Sequence, residues 1–191
     1  MRRFIVFFVA IFCAITSFAQ TKWAKQYEQA KVYVDAGRYD AALEILMPLT
    51  KEQKGNDYAL HSQYLYAYAA LQQNQLVSAR DMLLQVKQLH GDWNEIEKVN
   101  WLLATVYMKQ TDYRKAVGLV RNVSSSTLYL TDWKKEYYPS INPLDTLLAI
   151  QKAMPFDVEL AEELYARLYR SSVLTTDQKT RLSTLEKEYG F

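Results

Sequence analysis

Cysteine is almost absent from this chain, and its single cysteine, Cys13, lies in an apolar stretch near the amino terminus. Glycine and proline are also scarce, with five and four residues, which favours long helices joined by short turns. The sequence lacks a glycine-rich phosphate loop and a nucleophile motif, and its two histidines, His61 and His90, are far apart. We therefore expect no catalytic site, no metal site and no cofactor in this protein.

The amino-terminal segment has the organisation of a secretory signal peptide. Two arginines precede an apolar run at residues 4–15, and the segment ends with two small residues, Ser17 and Ala19. This pattern predicts cleavage after Ala19, and it removes the only cysteine. The run is shorter than the roughly 20 apolar residues that span a bilayer, and Phe12 stands where a lipoprotein needs a small residue. We expect an exported protein, periplasmic or secreted, with no membrane span after cleavage.

The charge of the mature chain is balanced. Loss of Arg2 and Arg3 lowers the basic residues from 23 to 21, which equals the 21 acidic residues. A neutral chain argues against a nucleic-acid partner, because phosphate binding needs a clustered basic surface. The 172 residues that follow Ala19 are enough to bury a continuous helical core.

Small residues recur in this sequence with a period of thirty-seven residues. One set comprises Ala42, Ala79 and Ala116, and a second set stands twelve positions earlier at Ala30, Ala67 and Ala104. A period of this length predicts stacked helical hairpins, in which each unit buries its apolar face against its neighbours. The alanines then mark the points where two helices cross closely.

The same period places Gly37, Asn74 and Thr111 between the two sets. Glycine and asparagine tolerate the positive φ of a tight turn, and Thr111 with Asp112 offers a helix N-cap. We expect each hairpin to turn at these positions.

The first hairpin resembles the core of a tetratricopeptide repeat (TPR) in Tyr33, the segment Gly37-Arg38-Tyr39-Asp40-Ala41-Ala42-Leu43, and Leu46. The resemblance covers about residues 23–122. The period exceeds the usual length of about 34 residues, and glutamines replace the usual Trp and Leu at the opening of the first helix. The resemblance implies an all-α, right-handed superhelical solenoid of helix-turn-helix hairpins. It also implies a non-catalytic role in protein–protein interaction.

Apolar spacing and turn residues predict the individual helices. The three regular hairpins are expected within residues 20–123, at 22–36 with 40–52, 57–73 with 76–89, and 92–110 with 113–122. Pro48 should bend the second helix or end it early, since proline lacks a backbone donor. Asp92 and Glu95 have the spacing of a capping box.

The remaining residues, 124–191, are expected to pack on the same solenoid as an irregular part. They comprise a loop at 124–126, a short helix or irregular strap at 128–138, a degenerate fourth hairpin at 144–154 and 157–170, and a capping helix at 177–189. Ala149 and Ala161 repeat the twelve-residue spacing of the alanines. Thr175 and Gln178 have the spacing of a capping box.

Aromatic residues occupy one phase of the period, at Tyr27, Tyr64 and Trp101. Lys31 and Tyr68 are also thirty-seven residues apart, and each lies one helical turn after Tyr27 or Tyr64. In the TPR arrangement these positions line the concave face, where aromatic side chains would contact a ligand. The alternative is that these aromatic residues only pack between adjacent helices.

The resemblance also allows a test for one specific mode, a clamp for a terminal carboxylate. At the matching positions this chain has Tyr27, Lys31, Leu65, Lys98 and Leu102. Lys98 alone fits, so a carboxylate clamp is not predicted.

We therefore expect a scaffold of the bacterial cell envelope that binds an envelope or secreted protein in its groove. A module that binds small molecules or glycans, such as peptidoglycan fragments, is the alternative, because tyrosine and tryptophan also stack on sugar rings. Self-association through an incompletely capped end is left open.

Overall fold

The computed structural model describes residues 22–51, 58–121, 137, 143–171 and 173–191. The predicted signal peptide lies outside these residues, as does the predicted strap apart from Tyr137. None of the described helices is both long and apolar enough to cross a membrane.

The described part of the chain contains nine α-helices and no strand, which confirms the predicted all-α helical-repeat fold. The helices are α1 (22–35), α2 (Tyr39–Leu49), α3 (Ala59–Gln72), α4 (Leu76–Leu89), α5 (Ile96–Lys109), α6 (Tyr113–Val120), α7 (Pro143–Ala153), α8 (Val158–Arg170) and α9 (Thr176–Tyr189). They cluster into two compact units, Met1–Val99 and Asn100–Phe191. The boundary between the units falls inside α5.

The first unit contains two helical hairpins whose helices pack in sequence, with α2 on α3 and α3 on α4. Leucines at helical spacing fill its core, including Leu46, Leu65 and Leu83, none of which is more than 1% exposed. Full burial of a leucine side chain contributes roughly 1.5–3 kcal/mol. All six alanines of the two periodic sets are 0% exposed, as expected at close helix crossings: Ala30, Ala42, Ala67, Ala79, Ala104 and Ala116.

The three predicted turns share one backbone conformation. Gly37, Asn74 and Thr111 have φ of +70°, +58° and +59°. In the first turn, the N–H of Gly37 donates to the carbonyl oxygen of Val34 at 2.9 Å, and that of Arg38 donates to Tyr33 at 2.8 Å. This pair of bonds is a Schellman motif, which satisfies the last carbonyl groups of a helix.

The two later turns, thirty-seven and seventy-four residues further along the chain, repeat this pattern. The N–H groups of Gln75 and Asp112 donate to Ala70 and Tyr107, at 2.8 and 2.9 Å. Each residue that closes a Schellman motif is also the N-cap of the next helix. One turn geometry therefore fixes both the end of one helix and the start of its partner.

Two helix ends test the local predictions. Helix α2 ends at Leu49, directly after Pro48, so the predicted early end is confirmed. The capping box at Asp92 is wrong, because residues 91–95 form turns and α5 begins at Ile96. The Glu95 carboxylate instead lies 3.2 Å from the ammonium nitrogen of Lys98.

In the second unit α6 packs on α7, α7 on α8, and α8 on α9. Helices α7 and α8, which cover the predicted fourth hairpin, therefore contact each other. The prediction that both alanines lie where these helices cross is wrong in part, since Ala161 is buried but Ala149 is exposed. Helix α7 turns its larger side chains to the core instead, with Leu147 and Ile150 both 0% exposed.

Helix α9 is fixed by the predicted capping box and by buried polar contacts. Thr175 accepts from the N–H of Gln178, and Gln178 accepts from the N–H of Thr175. The Gln178 side chain also donates to Asp145 of α7 at 3.0 Å. The fully buried Gln151 of α7 accepts from Arg181 at 3.1 Å, so specific bonds hold the amino-terminal half of α9 against α7.

Candidate binding surface

Five rings of the first unit form a continuous series, which we call the aromatic ladder. Its members come from α1, from the start and body of α3, and from the turn before α5: Tyr27, Tyr58, His61, Trp93 and Tyr64. The ladder therefore joins both hairpins of this unit to the segment that begins the third repeat.

Ring contacts connect each member of the ladder to the next. The Tyr27 ring centre lies 5.4 Å from that of Tyr58 and 6.4 Å from that of His61. His61 meets Trp93 edge to face at 5.4 Å and 79°, and Trp93 lies 6.3 Å from Tyr64. Distances of about 4.5–7 Å with tilted planes are those that aromatic pairs prefer. The rings thus stabilise one another's positions without a ligand.

Lys98 of α5 places its ammonium group against Tyr64, the last ring of the ladder. The ammonium nitrogen of Lys98 lies 5.1 Å from the Tyr64 ring centre, within reach of a cation–π interaction. The same nitrogen pairs with Glu95, and the Lys98 side chain is only 12% exposed. Lys98 is therefore held by two neighbours and does not project as a mobile charge.

The members of the ladder differ in their exposure. Tyr64 is only 3% exposed, whereas Tyr27, Tyr58 and Trp93 are half-buried and His61 is exposed. A partly open series of rigid rings on a buried base gives apolar contact area with little loss of side-chain entropy on binding.

Lys31 and Tyr68 of the predicted site lie near the ladder in sequence but in different surroundings. Lys31 is half-buried, and its ammonium nitrogen lies 3.7 Å from the Glu28 carboxylate. Burial, followed by the nearby Tyr39 and Asp35, raises the pKa of the Tyr68 hydroxyl. Tyr68 therefore stays a neutral hydrogen-bonding group at physiological pH.

Trp101 lies in the second unit and is only 1% exposed. The burial of Trp101 and Tyr64 is what the packing alternative predicts for two of the three periodic aromatic residues. Of the three, Tyr27 alone is half-buried, whereas Tyr64 and Trp101 are buried. Ligand contact by the predicted residues stays a prediction. Among them Tyr27 is the main candidate, together with its neighbours in the ladder that do not follow the period.

Tyr58, His61 and Trp93 were not predicted as site residues. The residues thirty-seven positions before and after each of them are of unrelated types. For His61, for example, these residues are Ala24 and Lys98. Trp93 lies in a turn outside the helical register. A search along the period finds positions that repeat, so it misses a surface built from residues that occur once.

Titratable residues do not converge elsewhere in the described ranges. No group of three or more His, Cys, Asp or Glu residues that could hold a metal ion occurs among them. Glu163 pairs with two arginines, Arg121 and, at 2.6 Å, Arg167. This arrangement ties α8 to the end of α6 and has the character of a structural ion pair.

No protein-family model matches this sequence, and no curated protein is found as a relative. One similar solved structure is a crystal structure from Podosopora anserina of nearly identical TPR-like repeats, in a protein named as a kinesin light chain. It is 20% identical, covers 90% of this chain and 88% of its own, and has a TM-score of 0.54. The comparison shows a TPR-like fold for this chain.

Proposed function

We propose that this protein is an exported, non-catalytic adaptor of the bacterial envelope that binds a segment of another protein on its aromatic ladder. The observation that carries the proposal is the ladder itself, a continuous series of five rings of which His61 is exposed and Tyr27, Tyr58 and Trp93 are half-buried. The TPR-like fold supports a general role in protein–protein interaction, and the predicted signal peptide supports export.

The chemistry of the ladder fits an extended peptide with apolar or aromatic side chains. The rings are preorganised by mutual contact, so that binding would order few side chains of the adaptor. His61 and Trp93 meet at 79°, which leaves differently oriented faces for side chains that follow one another along a peptide.

The ladder can be tested by replacing its open rings together. The variant Tyr27→Ala/His61→Ala/Trp93→Ala removes exposed and half-buried rings but leaves the buried Tyr64 in place. Phe156→Ala/Tyr169→Ala is the control, because these aromatic residues of the second unit are 95% and 69% exposed. Mature protein and both variants would be immobilised and incubated with envelope extract from the native host.

Quantitative mass spectrometry should identify a protein that the wild type and the control retain and the ladder variant loses. Equal retention by all three proteins would contradict the proposal. Circular dichroism must show that the ladder variant keeps its helix content, and Tyr27→Phe/Trp93→Phe, which keeps rings in place, should restore retention.

The glycan alternative predicts a different result in the same set of proteins. Calorimetric titration with peptidoglycan fragments or chito-oligosaccharides would give saturable heat that the ladder variant loses. The half-buried rings of Trp93 and Tyr27 are the observation that keeps this alternative in view, since sugar rings also stack on aromatic side chains. We expect no saturable heat with these ligands.

A further inference from the structure

A separate cleft of about 510 Å³ lies in the first unit, away from the residues of the aromatic ladder. It is formed by α2, by α3 and by the residue that precedes α4: Asp40, Leu43, Glu44, Met47, Pro48, Tyr66 and Gln75. Four of these residues have the spacing i, i+3, i+4 and i+7, which places them on one face of α2.

The base of the cleft is apolar and part of it is open. Leu43 is 9% exposed and packs into the core, whereas Met47 is 49% exposed although it lies one turn later on the same face. Methionine is flexible and polarisable, and it is common on surfaces that accept varied partners. The cleft therefore offers contact area that the fold itself does not use.

Two carboxylates flank this apolar base. Asp40 and Glu44 are exposed and lie one helical turn apart. No ion pair joins either of them to another residue in the described part of the chain, unlike Glu28 and Glu95, whose carboxylates are paired. Two like charges at this spacing slightly destabilise a helix, so an approaching cation would relieve an existing cost.

Tyr66 supplies a polar atom in the wall of the cleft. Its side chain is 93% buried, being 7% exposed, and it borders the cavity. Its hydroxyl makes no hydrogen bond to any of the residues that the structure describes. The hydroxyl oxygen is not among the buried oxygens that lack a partner, so it reaches the solvent of the cleft and can exchange water for a hydrogen bond to a bound group.

We propose that this cleft binds a protein segment in which a lysine or arginine stands beside an apolar side chain. The apolar side chain would pack on Leu43 and Met47, and the cation would lie between Asp40 and Glu44. The Tyr66 hydroxyl would bond to a carbonyl oxygen of the segment. Charge complementarity selects this occupant, because an acidic or purely apolar segment would leave both carboxylates unpaired. The inference is independent of the aromatic ladder.

The test uses two synthetic peptides, Ac-Gly-Leu-Lys-Leu-Lys-Leu-Gly-NH2 and the same peptide with glutamate in place of lysine. Binding to the full mature protein would be measured by fluorescence anisotropy of a labelled peptide at 50 and 300 mM NaCl. The variant D40N/E44Q removes both carboxylates. Its matched control is E159Q/E162Q, which removes two exposed acids of α8, one of them also in a first helical turn.

The lysine peptide should bind the wild type and E159Q/E162Q alike, and D40N/E44Q at least fivefold more weakly. Its affinity for the wild type should fall at the higher salt concentration, since exposed ion pairs are screened. Y66F should weaken binding without lowering the melting temperature. The inference is overturned if the glutamate peptide binds equally well, if both double variants lose affinity equally, or if the lysine peptide does not bind.

Loss of the ladder rings should leave the affinity for the lysine peptide unchanged, so that failure of either proposal is visible separately. A peptide whose affinity falls with the ladder variant and not with D40N/E44Q would overturn the assignment to this cleft.

Discussion

Gly37 and Thr111 lie two repeat periods apart and hold nearly the same backbone conformation, with φ of +70° and +59°. For glycine this conformation is free of steric cost, whereas a β-branched residue in the left-handed region is strained. The hydroxyl oxygen of Thr111 lies 2.7 Å from the carbonyl oxygen of Gln110. One turn geometry is therefore imposed on residue types of very different suitability.

Thr111→Gly should stabilise the protein, because it removes the steric cost at this turn. We expect a gain of about 0.5–1 kcal/mol, after the greater freedom of glycine in the unfolded chain is included. Gly37→Ala should lose about 1 kcal/mol, although a Cβ there would meet no atom within 4 Å. Urea denaturation of both variants measures these changes, and a destabilised Thr111→Gly would contradict the account of the turns.

Trp101→Ala should strongly destabilise the fold. Trp101 is one of the largest fully buried side chains, and truncation of a buried aromatic residue costs about 3–5 kcal/mol. His61→Ala, at an exposed position of the ladder, should cost much less, about 0.5–1.5 kcal/mol from the lost ring contacts. Thermal denaturation followed by circular dichroism distinguishes them, and similar melting temperatures for the two variants would show that Trp101 is not core.

Gln178→Ala should cost more than the loss of an ordinary cap. The side chain completes the capping box of α9 and also donates to Asp145 at 3.0 Å. A helix cap contributes about 1 kcal/mol, and the second bond adds roughly another 1 kcal/mol. Lys179→Ala, at the exposed neighbouring position, is the control. If both variants unfold at the same urea concentration, α9 is not anchored through Gln178.

Asp112 should make the stability depend on acidic pH. Hydrogen bonding by the Lys115 side chain is the main cause that lowers the pKa of this carboxyl, whose nearest oxygen lies 2.6 Å from the Lys115 ammonium. The unfolded chain then takes up the proton at a higher pH than the folded chain. The contribution is present above the unfolded pKa and is lost as the pH falls through the folded pKa.

Denaturation of wild type and Asp112→Asn at neutral pH and in acid measures that contribution. The difference in unfolding free energy between them should favour the wild type at neutral pH and shrink in acid. A difference that does not change with pH would show that the carboxylate charge plays no part at this cap.

The fold was largely predictable because the residues that determine it repeat. Gly37 and Asn74 identify two turns, and the periodic alanines identify the helix crossings, since each has a single physical reason to recur. Ala149 was misleading because its twelve-residue spacing from Ala161 lies outside the thirty-seven-residue period. A spacing without that period carries little information. At Asp92 the capping pattern is present, but turns continue to residue 95 and α5 begins later.

The candidate surface was only partly predictable. The period identified Tyr27 and Tyr64, but it could not reveal that Tyr64 is covered while His61, in an unrelated column, is open. The positions of Tyr58 and Trp93 depend on the chain path at the ends of helices, which a periodic pattern does not describe. Exposure is a tertiary property, so sequence alone could not choose between packing and ligand contact.

Site-specific photocrosslinking at His61 tests the proposed function most directly. A benzoylphenylalanine residue at position 61 retains an aromatic ring in the ladder, and one at position 162 of α8 provides an exposed control on another helix. After irradiation of the native host, we expect a covalent adduct between position 61 and a defined peptide of one envelope or secreted protein, and none at position 162. Absence of an adduct at position 61, or equal adducts at both positions, would contradict the proposed binding of a protein segment on the aromatic ladder.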